Sequence, residues 1–153
     1  MARPVRNTVE YFTHDADASS RKTVRILVSR YGANGYAVWF RLLEILCRTD
    51  GHYISCRLQE EIEFLGVETL SQSPEQLLEI LNLLSNLGAI DPELWRQKTI
   101  WSQNLVDRLS DVYKNRRRSS PARPTINGVS TPNNGVSTPN NGVSTPKLDV
   151  STP

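Results

Sequence analysis

A seven-residue repeat closes the chain and limits where a folded core can form. The sequence Asn-Gly-Val-Ser-Thr-Pro occurs three times between residues 127 and 146, and an altered copy occupies residues 148–153. The stretch contains no aromatic residue, and its only charged residues are Lys147 and Asp149. Such a segment buries too little apolar surface to offset the entropy of ordering its backbone. We therefore expect residues 119–153 to be a disordered tail and residues 1–118 to be the folded domain, with its core at about 19–113.

The folded part of the chain is nearly neutral, and its basic character is local. Residues 1–118 contain all 11 aromatic residues and carry 16 Lys and Arg against 15 Asp and Glu. Their size suits one domain with one hydrophobic core. Lys114 and Arg116–Arg118 supply four of the positive charges. A local patch of this kind matters more than the total charge for binding polyanions.

Cysteine usage and hydropathy indicate an intracellular protein. Cys47 and Cys56 are too few for a disulfide framework or a metal site, and Cys47 falls in an apolar run typical of a buried thiol. No stretch resembles a signal peptide, and none approaches the roughly 18 apolar residues that a membrane span needs.

Hydrophobic periodicity and turn residues predict a mostly α-helical fold. Ser73-Pro74-Glu75-Gln76 is a strong helix start, because Ser73 can cap the helix and Pro74 suits its first position. Helical patterns cover residues 19–31, 34–48, 57–65, 74–87 and from about 104 onwards, strand-like pieces cover 52–55, 89–90 and 99–101, and a polar loop covers 91–98. This order predicts a winged helix-turn-helix fold, with a small β-hairpin wing at about 91–98.

In such a fold the helix over residues 74–87 would be the recognition helix, which lies in the major groove. Its outward residues include Gln76, Asn82 and Asn86, and amide side chains can pair with adenine edges. However, it carries no Lys or Arg, and Glu75 and Glu79 would face phosphates. A solvated face or a protein-contact face is therefore an open alternative.

The candidate phosphate contacts lie elsewhere in the sequence. Arg96 and Lys98 fall on the predicted wing, and Lys114, Arg116, Arg117 and Arg118 follow the last helix. Neutralising phosphates supplies much of the affinity for duplex DNA. The alternative for the Arg run is that cations near a helix C-terminus favour the helix dipole without a ligand. A third basic group, Arg21, Lys22 and Arg25, is consistent with an ordinary solvated helix face.

The N-terminal residues carry no catalytic or metal pattern. His14, Asp15 and Asp17 are possible metal ligands by residue type, but His52 is the only other histidine. A cap or turn role is favoured for the two aspartates. The chain has no nucleophile–base set, Gly-rich phosphate loop or zinc spacing, so we expect neither catalysis nor a cofactor.

Several motifs in order resemble a known family. They are Tyr11–Ala18, Arg30–Tyr36, the Trp-x-x-Leu-Leu-Glu-type run at Trp39–Glu44, Gly51-His52-Tyr53 and Leu87–Asp91. Together they resemble the N-terminal winged-helix domain of phage replisome organisers and DnaD-like replication initiators, part of which is described only as a domain of unknown function. The resemblance covers about residues 8–118 and departs from similar sequences at Ser19-Ser20.

The resemblance implies a non-catalytic protein that binds double-stranded DNA and helps to start replication in the cytoplasm of a bacterial or phage-infected cell. It also implies a homo-oligomer, with Tyr11 and Phe12 joining a second protomer, and partners that load a helicase. The alternative for Tyr11 and Phe12 is packing onto their own domain. Two other functions stay open: an interaction module with weak DNA contact, and a winged-helix transcriptional regulator.

The repeat suggests a hypothesis at the level of the gene. Seven codons are 21 base pairs, which is close to two turns of B-DNA at about 10.5 base pairs each. If the codons of the copies are nearly identical, similar DNA sites would recur on the same face of the duplex. The protein would bind repeats inside its own gene; the alternative is replication slippage in an unconstrained linker.

Overall fold

The computed structural model describes residues 4–126. These residues are mostly helical, and two short strands form an antiparallel sheet, so the predicted mostly-α fold class is confirmed. The helices are α1 (Lys22–Tyr31), α2 (Ala33–Arg48), α3 (Gln59–Glu68), α4 (Pro74–Asn86), α5 (Pro92–Arg96), α6 (Gln103–Arg108) and α7 (Ser110–Asn115), and the strands are β1 (Tyr53–Ser55) and β2 (Thr99–Trp101). Single 3₁₀ turns occupy Ala18–Ser20 and Asp50–His52. The predicted disorder of residues 127–153 lies outside the described residues.

Helix α2 forms the centre of the core because it is apolar over most of its circumference. Val38, Leu42 and Leu46 are fully buried along it. They belong to one cluster with α1 and with the inward face of α4, whose Leu77, Ile80, Leu81 and Leu84 are also fully buried. Residues at this spacing share one helix face.

Two glycines allow α1 and α2 to fold back on each other. Gly32 separates the helices with φ +65°, a backbone conformation that L-residues rarely adopt. Gly35 lets the two helices approach each other closely, since a Cβ atom at this position would lie 2.5 Å from the Leu27 carbonyl oxygen. Asn34, where the predicted helix over residues 34–48 begins, lies inside α2, and its side chain donates a hydrogen bond to the Leu70 carbonyl.

The predicted start of α4 is confirmed. The Ser73 hydroxyl accepts a hydrogen bond from the Gln76 amide at 3.0 Å, and Pro74 is the first helical residue. The Gln76 side chain accepts from the amide of Gln72, one residue earlier than a capping box requires. Gly88, with φ +76°, follows the end of the helix.

The predicted β-hairpin wing at 91–98 is wrong, because residues Pro92–Arg96 form α5. The Asp91 carboxylate caps this helix by accepting from the Leu94 amide at 2.9 Å, and Pro92 takes the first position. Leu94 and Trp95 are buried, which anchors the turn to the domain. The two strands of the sheet are connected by α3, α4 and α5 and not by a hairpin loop. Strand β1 pairs with β2 in the register Tyr53↔Trp101, Ile54↔Ile100 and Ser55↔Thr99.

Residues 119–126 differ from the tail that the composition predicts, because they pack against the domain. Arg123 donates hydrogen bonds to the Asp91 carboxylate at 2.7 and 3.0 Å and to Glu93 at 2.8 Å. Ile126 packs against Leu94 and the neighbouring apolar residues. Burial works to raise the pKa of Asp91, but hydrogen bonds from Arg123 and the Leu94 amide outweigh it and hold that pKa below its usual value. Composition could not reveal this, since the partners of Arg123 lie about 30 residues away.

A buried histidine joins α2 to α7. His52 is fully buried, and its Nδ1 donates to the Leu46 carbonyl at 2.9 Å. Its Nε2 therefore accepts from the Tyr113 hydroxyl, which is 2.5 Å away. Burial lowers the pKa of His52 below its ordinary value of 6.5, although the bond to Leu46 opposes the change.

Lowering the pH should destabilise the fold through His52. The unfolded histidine takes up a proton near pH 6.5, whereas the buried one stays neutral until the pH reaches its lowered pKa. The free energy of unfolding should therefore be constant above about pH 6.5 and fall below it by at most about 1.4 kcal/mol per pH unit from this group. Urea unfolding of the full chain from about pH 7.5 to about pH 5 measures this dependence.

The matched variants for that experiment are His52→Asn and His14→Asn. His52→Asn should be less stable at neutral pH and should lose most of the decline below about pH 6.5. His14 is exposed, so His14→Asn should keep the decline. An unchanged decline in His52→Asn would show that other groups cause it.

Candidate nucleic-acid interface

Helix α4 presents a narrow polar strip on its outward side. Glu75, Glu79, Asn82 and Asn86 are exposed, at a spacing that follows one side of the helix. Gln76 is only half-buried at the helix start, where its amide group bonds with Gln72. Asn82 and Asn86 are thus on the surface as the sequence predicts, and Gln76 is partly engaged within its own turn.

A tryptophan connects this strip to the corner between α5 and β2. The buried Trp95 indole donates a hydrogen bond to the Asn82 side-chain oxygen at 2.7 Å. The Lys98 ammonium lies 4.7 Å from the centre of the Trp95 ring, a cation–π contact. Lys98 itself is exposed and has φ +61°. The contact chain Asn82–Trp95–Lys98 therefore holds a positive charge next to the polar strip, with exposed Arg96 in the last turn of α5.

The carboxylates of the strip are not all free of partners. Glu79 accepts a hydrogen bond from the Tyr31 hydroxyl at 3.3 Å, which ties α4 to the end of α1. Burial, followed by the charge of Glu79, raises the pKa of Tyr31, while Arg30 acts on the same hydroxyl in the opposite direction. Sequence reasoning missed the Tyr31–Glu79 contact, because no helical spacing relates α1 to α4.

The four cations at the end of α7, Lys114 in its last turn and Arg116–Arg118 after it, divide into two pairs. Arg116 donates to the Thr8 and Arg6 carbonyls at 2.9 and 3.3 Å. Arg118 donates to the Arg6 carbonyl and the Asn7 side-chain oxygen, both at 2.7 Å. Their guanidinium carbons lie 5.4 and 6.0 Å from the Tyr113 ring centre. These two arginines therefore fasten the N-terminal segment to the domain.

Lys114 and Arg117 are the exposed pair of the Arg run. The Lys114 ammonium is 3.7 Å from the Asp111 carboxylate, and both side chains are highly exposed, so this ion pair contributes little. Arg117 is exposed with φ +57°. Of the predicted phosphate contacts in the run, Lys114 and Arg117 are the pair that faces solvent most fully.

The two predicted oligomerisation residues have different environments. The Tyr11 side chain is 67% exposed. Phe12 packs against the core and lines a cleft of about 200 Å³ together with Trp39 and Phe40. The packing alternative thus fits Phe12, and Tyr11 is available for contact with another molecule.

The acidic residues near the N-terminus bind arginines. Asp15 accepts hydrogen bonds from Arg108 and from Arg21, the latter at 3.1 Å, and the bond from Arg108 is the main reason that the pKa of Asp15 is lowered. The main-chain carbonyls of Asp15 and Asp17 accept from residues three positions later, which is the predicted turn role. Within residues 4–126, no three His, Cys, Asp or Glu side chains converge as metal ligands.

The comparisons with known proteins identify a family. The family model described as Lin1244/Lin1753-like, N-terminal, matches residues 11–105. Since this is more than half of the chain, the protein belongs to the Lin1244/Lin1753-like N-terminal domain family, whose function is uncertain. No curated protein sequence and no solved structure gives a significant match. In the part of the chain that the structure describes, no helix has the length and apolar character to cross a membrane.

Because Arg116 and Arg118 bind the N-terminal segment and Arg117 faces solvent, substitutions at these positions should change the free energy of unfolding by different amounts. Arg116→Ala and Arg118→Ala should each lower the free energy of unfolding by about 1–2 kcal/mol, because each removes charge-assisted hydrogen bonds to the N-terminal segment. Arg117→Ala is the matched control and should stay within about 0.5 kcal/mol of the parent protein. Urea unfolding measures all three, and equal losses would contradict the assignment.

Proposed function

We propose that this protein is a non-catalytic DNA-binding protein of the winged helix-turn-helix type. The order α2, β1, α3, α4, β2, with β1 and β2 paired antiparallel, is compatible with that fold. Helices α3 and α4 are joined by residues 69–73 and pack on each other, as the two helices of a helix-turn-helix do. In this assignment α4 enters the major groove, and the α5–β2 corner replaces a β-hairpin as the wing.

The contact chain Asn82–Trp95–Lys98 is the observation that carries the proposal. Duplex recognition needs groups that reach base edges and cations that bind the adjacent phosphates. Asn82 supplies an amide whose oxygen is already bonded to Trp95. Its NH₂ group is left to donate outward, which suits the acceptors N7 and O6 of guanine, N7 of adenine or O4 of thymine. Lys98, held over the same Trp95 ring, supplies the phosphate contact.

The charges of the strip set the strength of binding. Glu75 and Glu79 oppose phosphates, so α4 alone is a poor polyanion binder. Binding then depends on the cations around the strip, chiefly Lys98 and Arg96, with Lys114 and Arg117 as further candidates. A carboxylate can also accept from the cytosine amino group. We therefore propose that the protein binds duplex DNA with modest affinity and strong salt dependence. The carboxylates would disfavour sites whose base edges offer them no hydrogen-bond donor.

The motif order that resembles replisome organisers supports a role in starting DNA replication. In this role the protein would bind duplex DNA, self-associate through the exposed Tyr11, and recruit proteins that load a helicase. The DNA segments that encode the repeats, about 21 base pairs for each seven-residue copy, would be its binding sites within its own gene.

A salt series with variants tests DNA binding. Fluorescence anisotropy would compare the full chain on two labelled duplexes, one with the repeat codons and one with the same bases shuffled. Lys98→Ala should weaken binding to both duplexes alike and reduce the log–log salt slope by about 1, because one phosphate contact is lost. Lys22→Ala removes an exposed lysine of α1 and is the matched control, for which no change in binding is expected.

Contacts of the α4 asparagines with base edges lead to a separate prediction, which the same two duplexes test. Asn86→Ala and Asn82→Ala should each reduce the preference for the favoured duplex, by about 1–3 kcal/mol where the side chain reads a base. Asn86→Ala is the cleaner variant, since Asn82→Ala also removes the acceptor of Trp95. Equal binding to both duplexes would contradict the role of the repeat codons, and no binding at low salt would contradict the proposed function.

A further inference from the structure

An apolar groove runs between β1 and α3, on different residues from the α4 strip. Its floor and walls are formed by Ile45, Tyr53, Ile54, Phe64 and Leu65, and its volume is about 540 Å³. This lies within the range of about 300–1,000 Å³ that binding pockets occupy. None of these residues takes part in the contact chain Asn82–Trp95–Lys98.

Large apolar side chains in the groove and on α3 beside it are in contact with water. Phe64 lines the groove, whereas Val67 and Leu70 lie outside its lining. Phe64 is 67% exposed and Val67 is 72% exposed, although both lie in a well-formed helix. They are three residues apart and so share one side of α3, and Leu70, 55% exposed, follows the helix. Large apolar side chains exposed near one another on a folded domain favour an interaction site.

The charges around the groove are acidic. Glu60, Glu61 and Glu68 line it, and within residues 4–126 its lining includes no Lys, Arg or His. Arg41 lies beside it but is occupied by an ion pair with Glu44 and a hydrogen bond to the Glu68 carbonyl. The surface therefore repels DNA phosphates and attracts a cationic segment.

The acidic residues around the groove argue against two other occupants, a second copy of this chain and its own repeat stretch. Two copies meeting symmetrically through α3 would bring their carboxylates together, since a two-fold contact uses one patch on both chains. The repeat stretch over residues 127–153 has one Lys, one Asp and no aromatic residue. It lacks the combination of apolar anchors and positive charges that the groove would complement.

We infer that the groove between β1 and α3 binds a basic amphipathic helix of a partner protein. Apolar residues of that helix, at i, i+3 or i+4, and i+7, insert beside Phe64 and Tyr53. Its Lys or Arg residues pair with Glu60, Glu61 and Glu68. This interaction uses a surface separate from the proposed DNA contacts and does not depend on them.

A designed peptide pair tests the inference directly. The probe is a labelled helical peptide of Leu and Lys with the leucines on one face, and the comparison peptide has Glu in place of every Lys. The full chain should bind the Leu/Lys peptide at least about tenfold more tightly than the Leu/Glu peptide, as measured by anisotropy at moderate salt. Equal binding of the two peptides would overturn the inference.

Variants of the protein locate the site. Phe64→Ser and the double change Glu60→Lys with Glu68→Lys should each weaken Leu/Lys binding about tenfold. The matched controls are Val28→Ser, a 41% exposed apolar residue of α1, and Glu63→Lys, an exposed carboxylate of α3 outside the groove. Both should bind nearly as the parent protein does. Glu61 is left unchanged because its side chain accepts from the Leu58 amide at the start of α3.

Two results would contradict the assignment to a basic partner helix. One is an equal loss in Glu63→Lys and the double variant, which would mean general charge attraction. The other is self-association of the full chain in sedimentation that Phe64→Ser abolishes, which would assign the groove to a second copy. Circular dichroism checks that each variant folds. DNA binding by Phe64→Ser should match that of the parent protein, so failure of the DNA proposal and failure of this inference give different results.

Discussion

The burial of α2 on nearly all sides determines how the other elements are arranged. Val38, Leu42 and Leu46 have no exposed surface, so α1, α4 and the C-terminal helices must cover them. The close approach at Gly35 brings α1 against α2, and the His52–Tyr113 hydrogen bond fixes α7 beside the end of α2. Arg116 and Arg118 then fasten residues 6–8 over that end. The N-terminal segment is thus held by interactions that depend on α2, whereas Arg123 and Ile126 hold residues 119–126 through Asp91, Glu93 and Leu94.

Sequence reasoning succeeded where the signal is local and failed where partners are distant. The start of α4 follows from Ser73 and Pro74, which act within one helical turn. Asp91 and Pro92 form the same kind of signal and start α5, so the polar composition of residues 91–98 is misleading as evidence for a hairpin wing. By contrast, no local pattern relates Arg116 to Thr8 or Arg123 to Asp91. For the same reason the sequence predicts Asn82 and Lys98 as candidates separately, but not their contacts with Trp95, which links them.

The α3–α4 unit presents two surfaces of opposite character. The α4 strip joins amide groups to the cations of the α5–β2 corner, whereas the α3 groove joins apolar side chains to three carboxylates. DNA and a basic partner helix would therefore not compete for the same residues. For the proposed role in starting replication, this separation would allow DNA and a protein partner to be bound together. The family match covers both surfaces, since residues 11–105 include α3, α4 and Lys98.

The most direct test is to map the DNA contact on the protein by amide chemical-shift changes. The full chain, labelled with ¹⁵N, would be titrated with the duplex of the repeat codons at low salt, about 50 mM. We expect the largest changes on the outward residues of α4 and on residues 95–98, with Phe64 and Val67 unaffected. Changes concentrated on α3, or an unchanged spectrum at that salt, would contradict the assignment of α4 to DNA.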